Sequence, residues 1–215
     1  DPFDIRRKNV MEDSSYPRKI GAGIVMKDLS HEACIEKLQD LMSYADLRTE
    51  QATLRRKRIY RGIGIAGFIK GTAPSPVGYY GAGGARIAAQ DATTVKLEPS
   101  GGVLLALGVT DQGQGVDTVM EQIAAAALGV PIEMVRAISG DTDAVPYGGG
   151  TYASRATAIG GEATYQAALD LRREILQMAG QLLQSDPANF DIVDGNVVDA
   201  GTESSRISLA EIGIK

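Results

Sequence analysis

The sequence predicts an α+β fold with mixed and antiparallel strands and two long helices. Three observations carry it. Apolar residues recur at helical spacing from Val116 to Leu128, and again from Ile159 to Leu182. Alternation of period two fills 92–98 and 103–109 around Pro99-Ser100-Gly101-Gly102, which reads as a hairpin. A second hairpin signal, Asp194-Gly195, sits between the apolar alternations of Phe190 to Asp199. Long helices beside antiparallel hairpins are the α+β pattern.

Taken in order, the first thirty residues mix charge, proline and glycine without periodicity, and read as a short helix end followed by a connector. Ser30 then precedes apolar positions Cys34, Ile35, Leu38, Leu41 and Met42, with Glu32 in the first turn; this predicts an amphipathic helix with a serine N-cap and a polar continuation to about Arg58. Residues 1–57 are accordingly expected to be a connector and surface helix, and 58–215 a separate domain. Ile63, Ile65 and Ile69 alternate with Gly62, Gly64 and Ala66, a strand pattern whose bare face predicts a close neighbour. A long irregular loop is expected from Gly67 to Gly84. The helix over Val116 to Leu128 should stop at Gly129, with Pro131 beyond. A short strand near Val135 to Ile138 leads into a glycine-rich loop, Gly140 to Gly150, and the long helix after it should end at Pro187. Ser208 to Gly213 begins a last short helix.

Composition narrows the function. Of 215 residues, 44% are hydrophobic and 23% charged, enough to bury a core. A net charge of −5 supplies no positive field for nucleic acid or an anionic membrane. The basic run Arg55, Arg56, Lys57, Arg58 and Arg61 reads as a solvated helix end. A single cysteine, Cys34, excludes an internal disulfide and a cysteine-ligated iron–sulfur cluster. His31 and Cys34 share a helix face, but two ligands without a second pair make no zinc site, so they read as a surface histidine beside a half-buried thiol and no protein metal ligand is assigned. With no apolar run near the roughly 20 residues a span requires, and no signal-peptide pattern, a cytoplasmic location is expected.

Three glycine-rich elements bear on chemistry. Gly62-Ile63-Gly64-Ile65-Ala66-Gly67 matches the dinucleotide fingerprint, but that motif needs a helix to begin inside it, and here the pattern is itself strand-like, so a dinucleotide fold is rejected. Thr110-Asp111-Gln112-Gly113-Gln114-Gly115 lies between a strand and a helix, where glycines admit a ligand and free amides favour anions; a tight turn explains the spacing equally well. Gly148-Gly149-Gly150-Thr151-Tyr152-Ala153-Ser154-Arg155 also leads into a helix. Thr151, Ser154 and Arg155 suit an oxyanion, Arg155 by two parallel hydrogen bonds, while an ordinary helix cap by Thr151 or Ser154 is the alternative. Two such loops in one chain favour a large, anionic, multiply hydrogen-bonded ligand.

The stretch from Arg61 to about Arg172 resembles the second cofactor-binding domain of molybdenum hydroxylase large subunits, the family of xanthine dehydrogenase, aldehyde oxidase and carbon monoxide dehydrogenase. The resemblance rests on Gly113-Gln114-Gly115 heading a helix that ends Leu128-Gly129-Val130-Pro131, then Gly140-Asp141-Thr142-Asp143, Val145-Pro146-Tyr147-Gly148, and the helix start Ser154-Arg155. The segment Asp1 to Asn9 is similar to the one that closes the preceding domain in those subunits. The resemblance implies that Gly113 and Gln114 meet a molybdenum pyranopterin, that Ala153 lies near the metal, and that Ser154 and Arg155 meet its pterin and phosphate end; the loop reading adds Gly115 and Thr151 to the expected cofactor contacts. It further implies a dinucleotide form of the cofactor, with 2Fe-2S and FAD carried on partner chains, and a molybdopterin dithiolene that holds the metal without a protein thiolate.

That family hydroxylates a carbon centre of a small-molecule substrate with oxygen from water, using a glutamate base in a Gly-x-Gly-Glu context. No glutamate here has that context, Glu162 after Gly160-Gly161 lying within a helix, so the catalytic base is expected outside the chain and the chain to be a partial subunit. Its partners would be the remainder of the large subunit and iron–sulfur and flavin subunits, and the substrate is not read from these residues. One alternative is a non-catalytic cofactor-chaperone or assembly module. Another, a nucleotide-binding enzyme using Gly113 to Gly115, lacks the Lys-Ser/Thr ending of a phosphate loop.

Overall fold

The computed structural model describes residues 1–20, 25–73, 90–145 and 147–215. They form two compact units. Asp1–Lys70 make the first, and the described residues from Gly71 onward the second.

The first unit is helical. Helix α1, Pro2–Arg7, starts at Asp1, whose carboxylate accepts from the Phe3 amide at 2.8 Å, and has proline in its first turn. Phe3 is buried edge-on against Tyr44, ring centroids 4.4 Å apart. Strands β1, Arg18–Lys19, and β2, Val25–Met26, pair antiparallel. The single helix expected after Ser30 is two: α2, His31–Leu41, and α3, Tyr44–Arg56, broken at Ser43 with φ +46°. Ser30 makes no side-chain cap. Asp13 caps α2 instead, accepting from the amides of Glu32 and Ala33, each at 3.0 Å. Cys34 is exposed, not half-buried, because the apolar stripe of α2 is left open within this unit, Leu41 being 75% exposed. The basic run ends α3 as expected, Arg55 and Arg56 in its last turn complementing the helix dipole, with Arg61 paired to Glu50 at 2.7 Å.

Residues 59–70 form neither strand nor helix. The predicted strand is therefore absent: alternation specifies two faces but supplies no partner, and an unpaired strand has no ladder to hold it. Gly62, Gly64 and Gly67 have open space where a Cβ would stand, so among the described residues no neighbour covers the bare face. No helix begins there either, in keeping with rejection of the dinucleotide motif. The connector's Gly21 and Gly23, and the part of the expected loop from 74 to 84, lie outside the described residues.

In the second unit, β3 (Thr93–Leu97) and β4 (Val103–Leu107) form the predicted hairpin, in register from Thr93 opposite Leu107 to Leu97 opposite Val103. Helix α4, Val116–Leu128, crosses over to β5, Val135–Ser139, which pairs parallel to β4, giving the order β3-β4-β5. The centre strand β4 is the most buried, Leu105 and Leu107 having almost no exposure; each such leucine contributes roughly 1.5–3 kcal/mol. Helix α4 stops at Gly129, φ +82°, where an added Cβ would stand 2.1 Å from the Ile192 carbonyl oxygen. The long helix α5, Gly161–Leu183, follows a π-helical turn over Ala156–Gly160 and packs on α4, burying Met120, Ala124 and Leu128 of one and Ala168, Ile175 and Ala179 of the other. After Pro187 come the antiparallel strands β6 (Phe190–Val193), β7 (Asn196–Asp199) and β8 (Ser205–Ser208), the last without a clear sequence signal. Helix α6, Leu209–Gly213, is closed by a Ser208–Glu211 capping box.

Candidate functional site

The two glycine loops of the second unit meet because their backbones touch. Beyond β4, Gly108 lies flush against Gly148: a Cβ on Gly148 would fall 2.0 Å from the Gly108 carbonyl oxygen, and one on Gly108 would fall 2.8 Å from the Tyr147 carbonyl oxygen. Only glycine permits that approach. The chain then diverges into Thr110–Gly115 on one side and Gly148–Arg155 on the other.

Thr151 stitches the loops together. Its hydroxyl accepts from the Thr110 amide at 2.9 Å and donates to the Thr110 carbonyl at 2.8 Å, while the Gln112 side-chain amide donates to the Thr151 carbonyl at 3.0 Å. The Thr151 hydroxyl therefore caps no helix. Within the first loop, Asp111 accepts from the Gly113 amide, and the Gln114 carboxamide oxygen accepts from the Gln112 amide at 2.6 Å, leaving the Gln114 Nε2 as a donor on an exposed residue. Gly113 (φ +97°) and Gly115 (φ +74°) are both left-handed, with open space where their Cβ atoms would stand. Gly115 is the N-cap of α4 and contributes no side chain, so the first-turn amides are free of side-chain capping.

In the second loop, Ala153 (φ +48°) and Ser154 (φ +54°) are left-handed in succession, a conformation that non-glycine residues adopt only when their surroundings impose it. The Ala153 carbonyl accepts from the Ala73 amide at 2.9 Å.

Arg155 is a correction. Its expected role was to share an anion with a helix N-terminus, yet its side chain is fully buried, with its Nη atoms donating to the carbonyls of Gly150 and Gln90 and the Asp91 carboxylate ion-paired with it at 2.8 Å. The guanidinium also lies 5.3 Å over the Tyr152 ring. Asp141 and Asp143, the acids of the preceding glycine-rich loop, are exposed; Asp141 accepts instead from the Asp143 amide at 2.9 Å. Nor does Arg155 begin α5 directly, since the π-helical turn intervenes. Sequence reasoning missed Asp91, an isolated acid ahead of β3 in no motif, together with Thr110 and Gln112 as partners of Thr151.

The exposed donors of this site are backbone amides, hydroxyls and one carboxamide. Such a neutral set suits a large polar ligand that brings its own metal ligands, and with open space at Gly113, Gly115 and Gly150 the residues present fit a molybdopterin. Among the described residues no cluster of three or more histidine, cysteine, aspartate or glutamate side chains could hold a metal. His31 is committed to Tyr16, whose hydroxyl lies 2.8 Å from Nδ1. Glu162 is an exposed helix residue accepting from Gln166 at 2.9 Å. No described helix is long and apolar enough to cross a membrane.

The molybdopterin cofactor-binding domain family matches residues 37–214. The chain is 32% identical to the nicotine 6-hydroxylase large subunit of Paenarthrobacter nicotinovorans, over 99% of its own length and 26% of that protein's. It is 29% identical to the carbon monoxide dehydrogenase large chain of Hydrogenophaga pseudoflava, again over 99% of this chain and 26% of the relative. Among solved structures, quinoline 2-oxidoreductase from Pseudomonas putida 86 superposes with a TM-score of 0.61 at 31% identity, over 99% of this chain and 27% of that one. The chain thus spans about a quarter of the length of these relatives.

Proposed function

The chain belongs to the family of molybdopterin cofactor-binding domains, and from that premise we propose that it is the cofactor-holding segment of a molybdenum hydroxylase large subunit, with the loops Thr110–Gly115 and Gly148–Ser154 as its share of the cradle. The observation that carries this is the junction itself: two glycine-containing loops, held edge to edge by Gly108 against Gly148 and by Thr151 against Thr110, with exposed amides and a carboxamide on them. Gly115 and the first turn of α4 present main-chain donors, Gly113 leaves open space for a ligand, and Gln114, Thr151, Ala153 and Ser154 border the same junction. Arg155 serves from behind, through the loop backbone.

When bound, the cofactor would supply oxidative hydroxylation of a small organic molecule with oxygen from water. This chain's residues orient it: rigid neutral donors favour an anionic group without the solvent reorganisation that flexible side chains would need. Partner chains bearing 2Fe-2S and FAD would take up the electrons, and the general base would come from elsewhere in the subunit. The dinucleotide form of the cofactor, an aldehyde oxidase-type substrate range and a cytoplasmic location belong to the same proposal. So does the division at 58 that makes residues 58–215 the first half of the second cofactor-binding domain.

The test is Gln114→Ala in the full subunit, where turnover should fall at least tenfold at equal molybdenum content while the melting temperature stays within about 1 °C, the change expected of an exposed residue. Unchanged turnover at equal molybdenum content would make Gln114 a turn residue only.

A further inference from the structure

We infer that Asp91 and Arg155 form a buried clamp that sets the shape of the Gly148–Ser154 loop, which makes Asp91 a positioning residue for what the two loops hold. The inference rests on the reading of those loops as a cofactor cradle. Both side chains are sealed from solvent, at 1% and 0% exposure. One Asp91 oxygen takes the guanidinium at 2.8 Å and the other accepts from the Gly149 amide at 2.7 Å. The guanidinium in turn reaches the Gly150 carbonyl, the Gln90 carbonyl at 3.2 Å and the Tyr152 ring. Gly150 and Tyr152 are thus fixed to the guanidinium, and Gly149 to the carboxylate paired with it. A Cβ on Gly149 would stand 2.7 Å from Nη2 and 2.9 Å from Cζ, so the loop is wound onto the guanidinium with no spare space.

Thr151 is placed between these anchored residues, and its hydroxyl meets Thr110 on the other loop. Ala153 and Ser154 are the next two residues, both left-handed. Stability alone accounts poorly for such a pair. Burying two charges is costly unless every remaining donor is satisfied, and the Arg155 Nε has no hydrogen-bond partner. Shape accounts for it better: a carboxylate and a planar fork, paired, bond the Gly149 amide, the Gly150 carbonyl and the Gln90 carbonyl at once, which no apolar pair can do.

The discriminating variant is Asp91→Leu/Arg155→Met, which replaces both charges by apolar groups and so removes the clamp without leaving a lone buried charge. The reporter is hydrogen exchange at the Thr110 amide in the 215-residue chain, because Thr110 touches neither altered residue and is tied to the loop only through Thr151. The expected result is melting within a few degrees of wild type with exchange at Thr110 at least tenfold faster, and, in the large subunit carrying the double change, molybdenum and phosphorus content reduced at least fivefold. Recovery of wild-type exchange along with wild-type melting would overturn the clamp and leave the pair as core packing. Should the double variant not fold, Arg155→Lys carries the test, since it keeps the charge but loses the planar fork. Exchange at Thr110 should then quicken about threefold with β6 and β7 unchanged, and wild-type exchange would overturn the proposal. If the wild-type subunit itself holds no molybdenum, the cofactor reading fails, while exchange at Thr110 still decides the clamp.

Discussion

Replacing Thr151 by valine tests whether the loop junction is held by a hydroxyl or merely by packing. Valine keeps the shape and removes both hydrogen bonds to Thr110, at 2.9 and 2.8 Å. Each is worth about 0.5–1.5 kcal/mol net, and because Thr110 is exposed, water replaces part of what is lost. The expected cost is therefore about 1–1.5 kcal/mol. For a domain of this size that lowers the melting temperature by about 2–6 °C. The same energy, spent locally, quickens hydrogen exchange at the Thr110 amide roughly 5- to 10-fold. Calorimetry and exchange mass spectrometry on Thr151→Val and Thr151→Ser would measure both effects. Serine keeps the hydroxyl and should stay close to wild type. If valine melts and exchanges like wild type, or if serine is as damaging as valine, the junction does not depend on that hydroxyl.

Three further outcomes follow from the same geometry. Gly148→Ala places a methyl 2.0 Å from the Gly108 carbonyl oxygen and should cost at least about 2 kcal/mol, whereas Gly150→Ala, with open space but φ +89°, should cost only about 1 kcal/mol; equal melting of the two would refute the close approach. Arg155→Ala leaves Asp91 buried without its cation and should lose about 3–5 kcal/mol, while a normally melting protein depleted of cofactor would return the guanidinium to direct anion binding. The Ser208 backbone amide, and then its hydroxyl, hold the Glu211 carboxyl below the usual carboxylate range. With a folded pKa below the unfolded one, the cap's stabilisation is complete above the ordinary glutamate value of about 4.3 and is lost as pH falls through the folded value. Glu211→Gln should reduce this acid-side slope in melting curves taken between pH 6 and 2.

Where local chemistry determined an element, the fold was legible. The helix stop at Gly129, the Asp194-Gly195 turn and the short helix beginning at Ser208 each depend on residues adjacent in sequence, and each forms as read. The strand expected at Ile63 to Ile69 fails for the opposite reason: a strand is a relation between two segments, and alternation describes only one. The α2 cap follows the same logic. Ser30 has the right type and position, but Asp13, folding back across the first unit, reaches the free amides of Glu32 and Ala33 and leaves the serine hydroxyl no capping bond to make.

The candidate site divides along the same line. Main-chain donors leave a mark in sequence because glycine is required where the backbone turns left-handed or another backbone presses close, and Gly108, Gly113, Gly115 and Gly148 show that mark. The side chains that hold the backbone there leave none. Arg155 is visible as a cation beside a glycine loop, and a cation in that place reads naturally as an anion ligand. What redirects it is Asp91, which no spacing rule connects to it and which lies 64 residues away in the chain. Once that carboxylate is sealed in with the guanidinium, a phosphate could claim Arg155 only by leaving Asp91 buried and unpaired, at a cost comparable to the several kcal/mol that a charged hydrogen bond returns. The neutral donors on the exposed side of the loops carry no such debt, and for that reason the proposed cradle leaves recognition to Gln114 and the start of α4, with the arginine shaping the Gly148–Ser154 loop from within.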